Sequence, residues 1–212
     1  MKIKISPLTR EMLPEAGRLL AQRHQRHRQV FPSLPQRFEN VDTTTKALSN
    51  LFEKKSALGY AAFRNGKMSD YLLGDYSSEA WGRAGWVRLP GSALVAGESP
   101  EVLQDLYVKL GEDWVRRGIF IHQAYLSAAE PELVDAWFNL DFGKERIDAM
   151  LDMRDVEFPK TQAPQGIEIR RAGKGDNELF SGISHIIYRA LGKPPYWLPT
   201  PPEVWGELKE GW

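Results

Sequence analysis

The densest group of ionisable side chains in this sequence lies at residues 23–28. It comprises three arginines and two histidines: Arg23, His24, Arg26, His27 and Arg28. Guanidinium groups bind phosphates and carboxylates through paired hydrogen bonds, so this group could hold a phosphate or an acidic partner. Cations are also favoured in the last turn of a helix, where they offset the partial negative charge of free carbonyl groups. We expect the second alternative, a solvated helix end.

Two further patterns are too incomplete to predict a binding site. His24 and His27 are three residues apart, a spacing that metal ligands on a helix use, but no acidic or third ligand lies near them in the sequence. Gly173-Lys174-Gly175-Asp176 resembles part of a phosphate-binding loop. However, Glu168 stands where the earlier glycine is required, and no serine or threonine follows the lysine. We therefore expect neither a metal ion nor a phosphate loop.

The composition excludes several functional classes. The 212 residues include 28 Lys plus Arg, 28 Asp plus Glu and no cysteine. A formal net charge of zero gives no reason to expect nucleic acid or an anionic membrane as a partner. The absence of cysteine excludes disulfides and cysteine nucleophiles. Because no apolar run reaches the length of a signal peptide core or a membrane span, we predict a cytoplasmic protein.

The hydrophobic pattern predicts the elements that must position these side chains. Asn65-Gly66 favours a tight turn between two strands. Ser99-Pro100-Glu101 favours the start of an amphipathic helix that Gly118 ends. The expected order is strand, helix, helix, three strands and helix, at approximately 2–6, 10–30, 42–52, 60–63, 68–73, 86–96 and 99–118.

The segment that follows has the strongest local pattern. Ile119 to Leu126 is apolar on both alternating faces, which predicts a central strand covered on two sides. Glu130-Pro131-Glu132 supplies a helix start, with proline where no N–H is needed and acids near the positive end of the helix dipole. One face of this helix is apolar at i, i+4 and i+7: Leu133, Trp137 and Leu140.

The end of this helix resembles a known family. Residues 136–143 read Ala-Trp-Phe-Asn-Leu-Asp-Phe-Gly, which is similar to Ala-Trp-Phe-x-Leu-Gly-Phe-Gly in the last helix of the GNAT acyltransferases. With a further strand expected from Lys144 to about Phe158, the order of elements across residues 1–158 also matches that fold. The resemblance implies an α+β module, with a GNAT-like mixed β-sheet flanked by helices. It also implies acetyl transfer from acetyl-CoA to an amine.

A second GNAT-like repeat is expected after a linker at residues 159–166. Ile167-Glu168-Ile169-Arg170-Arg171-Ala172 resembles the opening strand of many GNAT domains, Ile-x-Ile-Arg-x-Ala, and Leu179 and Ile183 then mark a helix. Residues 167–212 would supply only the opening strand and helices of this module, which is therefore truncated. Apolar side chains left uncovered there would favour a homo-oligomer or a partner contact through residues 167–212.

The resemblance places the cofactor site at the start of the third helix. GNAT enzymes surround the pyrophosphate of acetyl-CoA with backbone N–H groups there, using Gln/Arg-x-x-Gly-x-Gly/Ala. The matching positions here are Gly97, Glu98, Ser99 and Glu101, with Pro100 among them. Each carboxylate would repel the pyrophosphate by about 3 kcal/mol at ~5 Å and an effective dielectric constant of about 20. We therefore predict a degenerate first module that does not bind coenzyme A in the usual way.

The resemblance also implies a proton donor for the departing thiolate, which many GNAT enzymes place as a tyrosine on the fourth helix. The matching positions are Trp137 and Phe138, neither of which can donate such a proton. Tyr125 and His122 are the remaining catalytic candidates, although their odd separation puts at most one of them in a cleft. The alternative, which we expect, is a hydrogen-bonded buried histidine and a packed tyrosine.

Residues 193–202 are rich in proline and aromatic side chains. They could form a polyproline ligand or a rigid connection. The resemblance implies a wall of the acceptor site, with Tyr196 and Trp197 as substrate-loop residues.

Two functions therefore stay open. The first is an N-acyltransferase with a degenerate N-terminal module. Its complete C-terminal module would carry out catalysis, with a small amine and acyl-CoA as ligands. The alternative is a non-catalytic GNAT-fold binding or assembly module. For these 212 residues alone we expect the second.

Overall fold

A computed structural model describes residues 3–77, 83–154, 156–157, 163–183 and 185–194. The described residues divide into two compact units, the first ending at Met150 and the second beginning at Leu151. No helix among the described residues is long and apolar enough to cross a membrane. The first unit contains β1 (Lys4–Pro7), α1 (Leu13–Val30), α2 (Val41–Phe52), β2 (Leu58–Arg64), β3 (Lys67–Tyr76), β4 (Ala84–Val87), β5 (Ser92–Leu94), α3 (Glu101–Arg116), β6 (Ile121–Ala124) and α4 (Pro131–Phe138).

The six strands form one mixed sheet in the order β1-β2-β3-β4-β6, with β5 paired to β3. Neighbouring strands are antiparallel except β4 and β6, which are parallel. The turn between β2 and β3 is formed as predicted, because Asn65 and Gly66 both have positive φ, at 53° and 78°. The expected mixed sheet flanked by helices is therefore confirmed.

Helices cover both faces of this sheet. The apolar cluster that includes side chains of α1 and α2 contains Leu19, Leu48 and Tyr71, all 0% exposed. The cluster that includes α3 and α4 contains Trp114 and Trp137, at 0% and 2% exposed. Each face buries apolar side chains that would otherwise contact water, which is the main stabilising contribution in a fold of this type.

Two glycines allow α3 to approach the sheet closely. A Cβ atom at Gly74 would lie 2.5 Å from the Trp114 ring, and one at Gly85 would lie 2.7 Å from it. Any side chain at these positions of β3 and β4 would push the indole away from the sheet. The two glycines thus determine where α3, the amphipathic helix predicted from residue 99 onward, packs on the sheet.

The prediction that residues 119–126 form a central strand is wrong in its position. β6 pairs only with β4 among the described residues, and Phe120 and Ile121 are 73% and 38% exposed. The strand expected from Lys144 onward is not formed in residues 144–154. Apolar alternation predicts the capacity to form a strand, but a strand also needs a neighbour for its hydrogen bonds, and the sequence does not identify that neighbour.

The second unit contains α5 (Asn177–Ile183) and α6 (His185–Leu191), where a helix was expected. Residues 167–172 form no strand, and Ile167 and Ile169 are 57% and 79% exposed. The Arg170 guanidinium instead donates two hydrogen bonds to Asp176, at 2.8 and 2.6 Å. Tyr196, Trp197 and residues 158–162 of the region around the expected linker lie outside the described residues. The second repeat stays a prediction.

Candidate functional site

The sheet contains a gap where its two parallel strands separate. β4 and β6 stay paired up to the hydrogen bond from Tyr125 N to Val87 O, at 2.9 Å. A tight turn at residues 88–91 then carries the chain away, and β5 pairs with β3. Val95 N donates to Ser69 O at 2.8 Å, so the alternate residues Ser92 and Leu94 direct their backbone groups away from β3. These groups lie on the open edge of β5.

Two arginines of α1 satisfy carbonyl groups on this edge. The Arg23 guanidinium donates to the carbonyl oxygens of Ser92 and, at 2.9 Å, Leu89. Arg26 donates to Leu94 O at 3.0 Å. The Arg23 side chain is only 4% exposed, so these bonds replace water contacts that it has lost.

Glu130, in the loop between β6 and α4, supplies the negative charge of this cluster. Its carboxylate lies 2.9 Å from His27 Nε2, 3.6 Å from Arg26 Nη2 and 3.9 Å from Arg23 Nε. Burial opposes its ionisation, but His27, Arg23 and Arg26 together outweigh burial and hold the pKa of Glu130 below its ordinary value. Burial lowers the pKa of Arg23. We call these four residues the Arg23–Glu130 cluster.

The expectation of a solvated helix end is therefore wrong for two members of the basic group. Arg23 and His27 are each 4% exposed, while Arg28 pairs with Glu39 near the surface. A signal for their burial was present in the sequence. Arg23 and His27 follow Ala16 and Leu20 at helical spacing, so they continue the apolar face of α1.

The start of α3 has few backbone donors left for an anion. Glu98 N donates to Val95 O at 3.1 Å, and Ser99 N donates to the Glu98 carboxylate at 3.1 Å. Glu101 N donates to Ser99 Oγ at 3.4 Å. The next two N–H groups are also bonded, at 3.2 and 3.0 Å, to the carbonyl oxygens of Ser99 and Pro100. Gly97, at φ 81°, makes the turn that precedes them.

Glu98 is held at this position by a cation from the β2–β3 hairpin. Arg64 donates to both carboxylate oxygens, at 2.9 and 2.7 Å. These charge-assisted bonds hold the pKa of Glu98 below its ordinary value. The carboxylate thus has partners on its own chain. Its side chain is 10% exposed, so it stays close to the helix start.

A second carboxyl group in this region has no ion pair among the described residues. Asp70 on β3 is 0% exposed, and burial outweighs the favourable contributions of Ser69 and Arg64 to its ionised form. Burial raises its pKa to about 7, from an ordinary value of 3.8. Since Arg64 binds Glu98, Asp70 stays without a direct cation partner.

The two catalytic candidates, His122 on β6 and Tyr125 just after it, have different surroundings. His122 is engaged at both ring nitrogens, because Tyr107 Oη lies 2.7 Å from Nδ1 and Ile119 O lies 3.0 Å from Nε2. The carbonyl can only accept, so Nε2 donates to Ile119 O, and Nδ1 shares a hydrogen bond with the tyrosine hydroxyl. Tyr125 accepts a hydrogen bond from Arg146 at 3.1 Å. The arrangement leaves His122 with no free nitrogen for proton transfer.

Tyr107, which the sequence reasoning did not single out for function, links His122 to the aromatic end of α4. Its ring centroid lies 5.3 Å from that of Trp137 and 5.2 Å from that of Phe142. Trp137 and Phe142 belong to the segment that carries the family resemblance. Their contacts with α3 show that the pattern encodes packing between α4 and α3. Among the described residues, no group of His, Asp or Glu could hold a metal ion.

No protein-family model and no curated protein matches this sequence. Solved structures match it in fold. A ribosomal-protein-alanine N-acetyltransferase from Brucella melitensis biovar Abortus 2308 is 14% identical, with 72% of this chain and 100% of that chain covered and a TM-score of 0.52. A possible acetyltransferase from Clostridium difficile 630 is 11% identical, with 74% and 100% covered and a TM-score of 0.52.

A third similar structure was solved with a cofactor. It is the aminoglycoside N-acetyltransferase AAC(6')-Iy in complex with CoA, 12% identical, with 72% of this chain and 95% of that chain covered and a TM-score of 0.50. At such identities the likeness is one of fold. This chain has a GNAT-like fold.

Proposed function

We propose that this chain is part of a GNAT-type N-acyltransferase that transfers an acetyl group from acetyl-CoA to an amine. The support is its fold, which it shares with solved acetyltransferases, one of them in complex with CoA. Within this proposal, residues 3–150 form a domain that does not bind the cofactor in the usual way. Catalysis belongs to a complete second module that residues 167–212 would begin, and Tyr196 and Trp197 would line its acceptor site.

The start of α3 carries the proposal for the first domain. A pyrophosphate needs free N–H donors, and the first three N–H groups of α3 are bonded within the chain. Glu98 adds a negative charge at the same place, fixed by two bonds from Arg64. Binding would therefore require breaking this ion pair and overcoming repulsion from the carboxylate.

The gap between β5 and β6 supports a first domain without bound cofactor, which the proposed enzyme shares with the alternative function, a non-catalytic GNAT-fold binding or assembly module. The Arg23–Glu130 cluster occupies the open edge of β5 with guanidinium groups. An acyl-CoA arm lying along this edge would have to displace those bonds. A larger enzyme whose first domain is non-catalytic would have the same arrangement. The two functions therefore differ in whether the second module is catalytic.

Titration with acetyl-CoA tests the proposal. A ligand present at 100-fold over its dissociation constant stabilises a protein by about 2.7 kcal/mol, so a thermal shift would detect binding. We expect no shift for this 212-residue chain. The matched variant is Ser99→Asp, which keeps a side-chain acceptor for Glu101 N and adds a charge at the helix start. A saturable shift that this substitution weakens would contradict the proposed inability of the first domain to bind CoA.

Release of the CoA thiol tests the transferase activity. The chain contains no cysteine, so a thiol reagent reports only thiol from the cofactor. A chain extended through a complete second module should release thiol from acetyl-CoA when primary amines are added, and residues 1–158 should not. Thiol release by residues 1–158 would overturn the assignment of catalysis to the second module. A complete second module with no activity towards any amine would favour the binding or assembly function.

A further inference from the structure

Asp70 lies on the face of the sheet that α3 covers. It is the direct partner of Ala62 in the β2–β3 ladder and of Leu94 in the β3–β5 ladder. Residues directly opposite in an antiparallel pair project to the same face. Ala62, Leu72 and Leu94 all belong to the apolar cluster that includes side chains of α3. The Asp70 carboxyl group is therefore directed towards α3.

Arg64 projects to the same face. It lies two residues after Ala62 on β2, and alternate residues of a strand share a face. Since Ala62 pairs with Asp70, Arg64 is a diagonal neighbour of Asp70, at a separation that a long side chain can span. The hydrogen bonds to Glu98 and, more weakly, the charge of Asp70 raise the pKa of Arg64. The two carboxyl groups thus compete for one guanidinium.

The structure shows Arg64 bound to Glu98. The two bonds, at 2.9 and 2.7 Å, connect the β2–β3 hairpin to the start of α3, because the Glu98 carboxylate also accepts from Ser99 N. Asp70 is 0% exposed and has no ion pair, and burial raises its pKa to about 7. This arrangement suits a protonated Asp70. An ionised Asp70 would be a buried charge without a direct counterion, which is strongly unfavourable.

Arg64 is also the cation available to an ionised Asp70. Among the described residues, the charged groups that act on Asp70 are Glu98 and Arg64, and Ser69 on its own strand favours the ionised form. β5 places the apolar Leu94 opposite Asp70, and the side chains of α3 in the same cluster are apolar. The Arg64 side chain is 31% exposed, so it can change partner without unpacking the core.

We propose that Arg64 is a pH-dependent switch, which binds Glu98 while Asp70 is protonated and moves to Asp70 when that group loses its proton. The proton leaves to solvent, and the net charge of the three side chains changes from zero to −1. Glu98 is the carboxylate that can lose the cation, because its side chain is 10% exposed and keeps the bond from Ser99 N. The hairpin then no longer holds the start of α3. The proposed acyltransferase is not required for this switch.

Double-mutant cycles measure which carboxylate Arg64 binds. The 212-residue chain is unfolded in urea at about pH 5.5 and about pH 8.5, on either side of the pKa of Asp70. At the lower pH, Arg64→Gln and Glu98→Gln should be coupled by at least about fivefold in the folding equilibrium constant, and at the higher pH by less than about twofold. Arg64→Gln and Asp70→Asn should show the reverse.

The pair Arg88 and Asp75 is the matched control. Arg88 also donates two bonds to one carboxylate in the first unit, at 2.7 and 3.0 Å. The pKa of Asp75 is lowered and that of Arg88 is raised, so both groups stay charged in this range. The coupling between Arg88→Gln and Asp75→Asn should therefore be the same at both pH values.

Equal coupling of Arg64 and Glu98 at the two pH values would overturn the proposal. Glu98 is ionised at both, because its pKa is lowered, so a fixed ion pair would give no change. If a variant does not fold, crystal structures of the wild type at the same two pH values decide. Arg64 should be hydrogen-bonded to Glu98 at the lower pH and to Asp70 at the higher one. Arg64 bound to Glu98 in both structures contradicts the switch.

Discussion

Replacing Asp70 with asparagine should remove a pH dependence of stability that this one buried carboxyl group produces. Asp70 is 0% exposed, and burial raises its pKa from 3.8 to about 7. The native protein therefore holds the Asp70 proton more tightly than the unfolded chain does. The contribution of protonated Asp70 to the free energy of unfolding is fully present below about pH 4, and it is lost as the pH rises to about 7.

The magnitude follows from the difference of about 3 pKa units. At about 1.36 kcal/mol per unit, Asp70 makes the folded state at most about 4 kcal/mol less stable above pH 7 than below pH 4. About 3 kcal/mol of this change falls between about pH 4.5 and pH 7.5. That is a large fraction of the free energy of unfolding of a typical domain.

Urea denaturation at several pH values measures this change, with fluorescence of the buried Trp114 and Trp137 as the signal from the first unit. The quantity to follow is the difference in unfolding free energy between the wild type and Asp70→Asn. The contributions of the other carboxyl groups are the same in both proteins, so they cancel in this difference. We expect Asp70→Asn to gain about 3 kcal/mol relative to the wild type as the pH rises across that range.

Asp75→Asn is the matched control, because it should show the opposite sign. Burial opposes ionisation of Asp75, but Arg88 and Lys54 outweigh it and lower its pKa. Their nitrogens lie 2.7 Å from the carboxylate. Its stabilisation is present at neutral pH and is lost as the pH falls below about 4. A difference between the wild type and Asp70→Asn that stays constant with pH would refute the reasoning for Asp70.

Three further substitutions test the packing that positions the site. Gly91→Ala should destabilise the first unit by about 3 kcal/mol in urea denaturation, because its Cβ would lie 2.2 Å from Leu73 O; Gly143→Ala, in the same unit with open space around it, is the control. Gly66→Ala should cost about 1 kcal/mol in the same assay, since φ is 78°, and no loss would contradict the tight turn. Trp114→Ala should cost about 4 kcal/mol, and a loss below about 1 kcal/mol would show that the indole is not tightly packed.

Much of the fold was predictable because its signals are local. Asn65-Gly66 specifies a turn through two residues that accept positive φ. The stripe of α3 specifies a buried face through its spacing, and Gly118 ends the helix region with φ 75°. Such patterns need no knowledge of what lies on the other side of the core.

The candidate site was predictable only in part, because its residues are far apart in sequence. The acids at the start of α3 were expected to oppose anion binding, and Glu98 does lie there. Its partner Arg64 comes from a hairpin 34 positions earlier, which no local pattern indicates. Likewise, the spacing of Arg23 and His27 along α1 could have shown that they are buried, but not that Glu130 is their counterion.

By itself the sequence determined the helices, the hairpin, the absence of cysteine chemistry and the resemblance at residues 136–143. The tertiary structure alone decided which strands pair, which arginine loses contact with water and which carboxyl group is buried far enough for its pKa to rise. The physical reason is that strand pairing and charge burial depend on groups brought together across the chain. Asp70 and Glu98 show this directly, because two acids of the same chemistry have pKa values shifted in opposite directions.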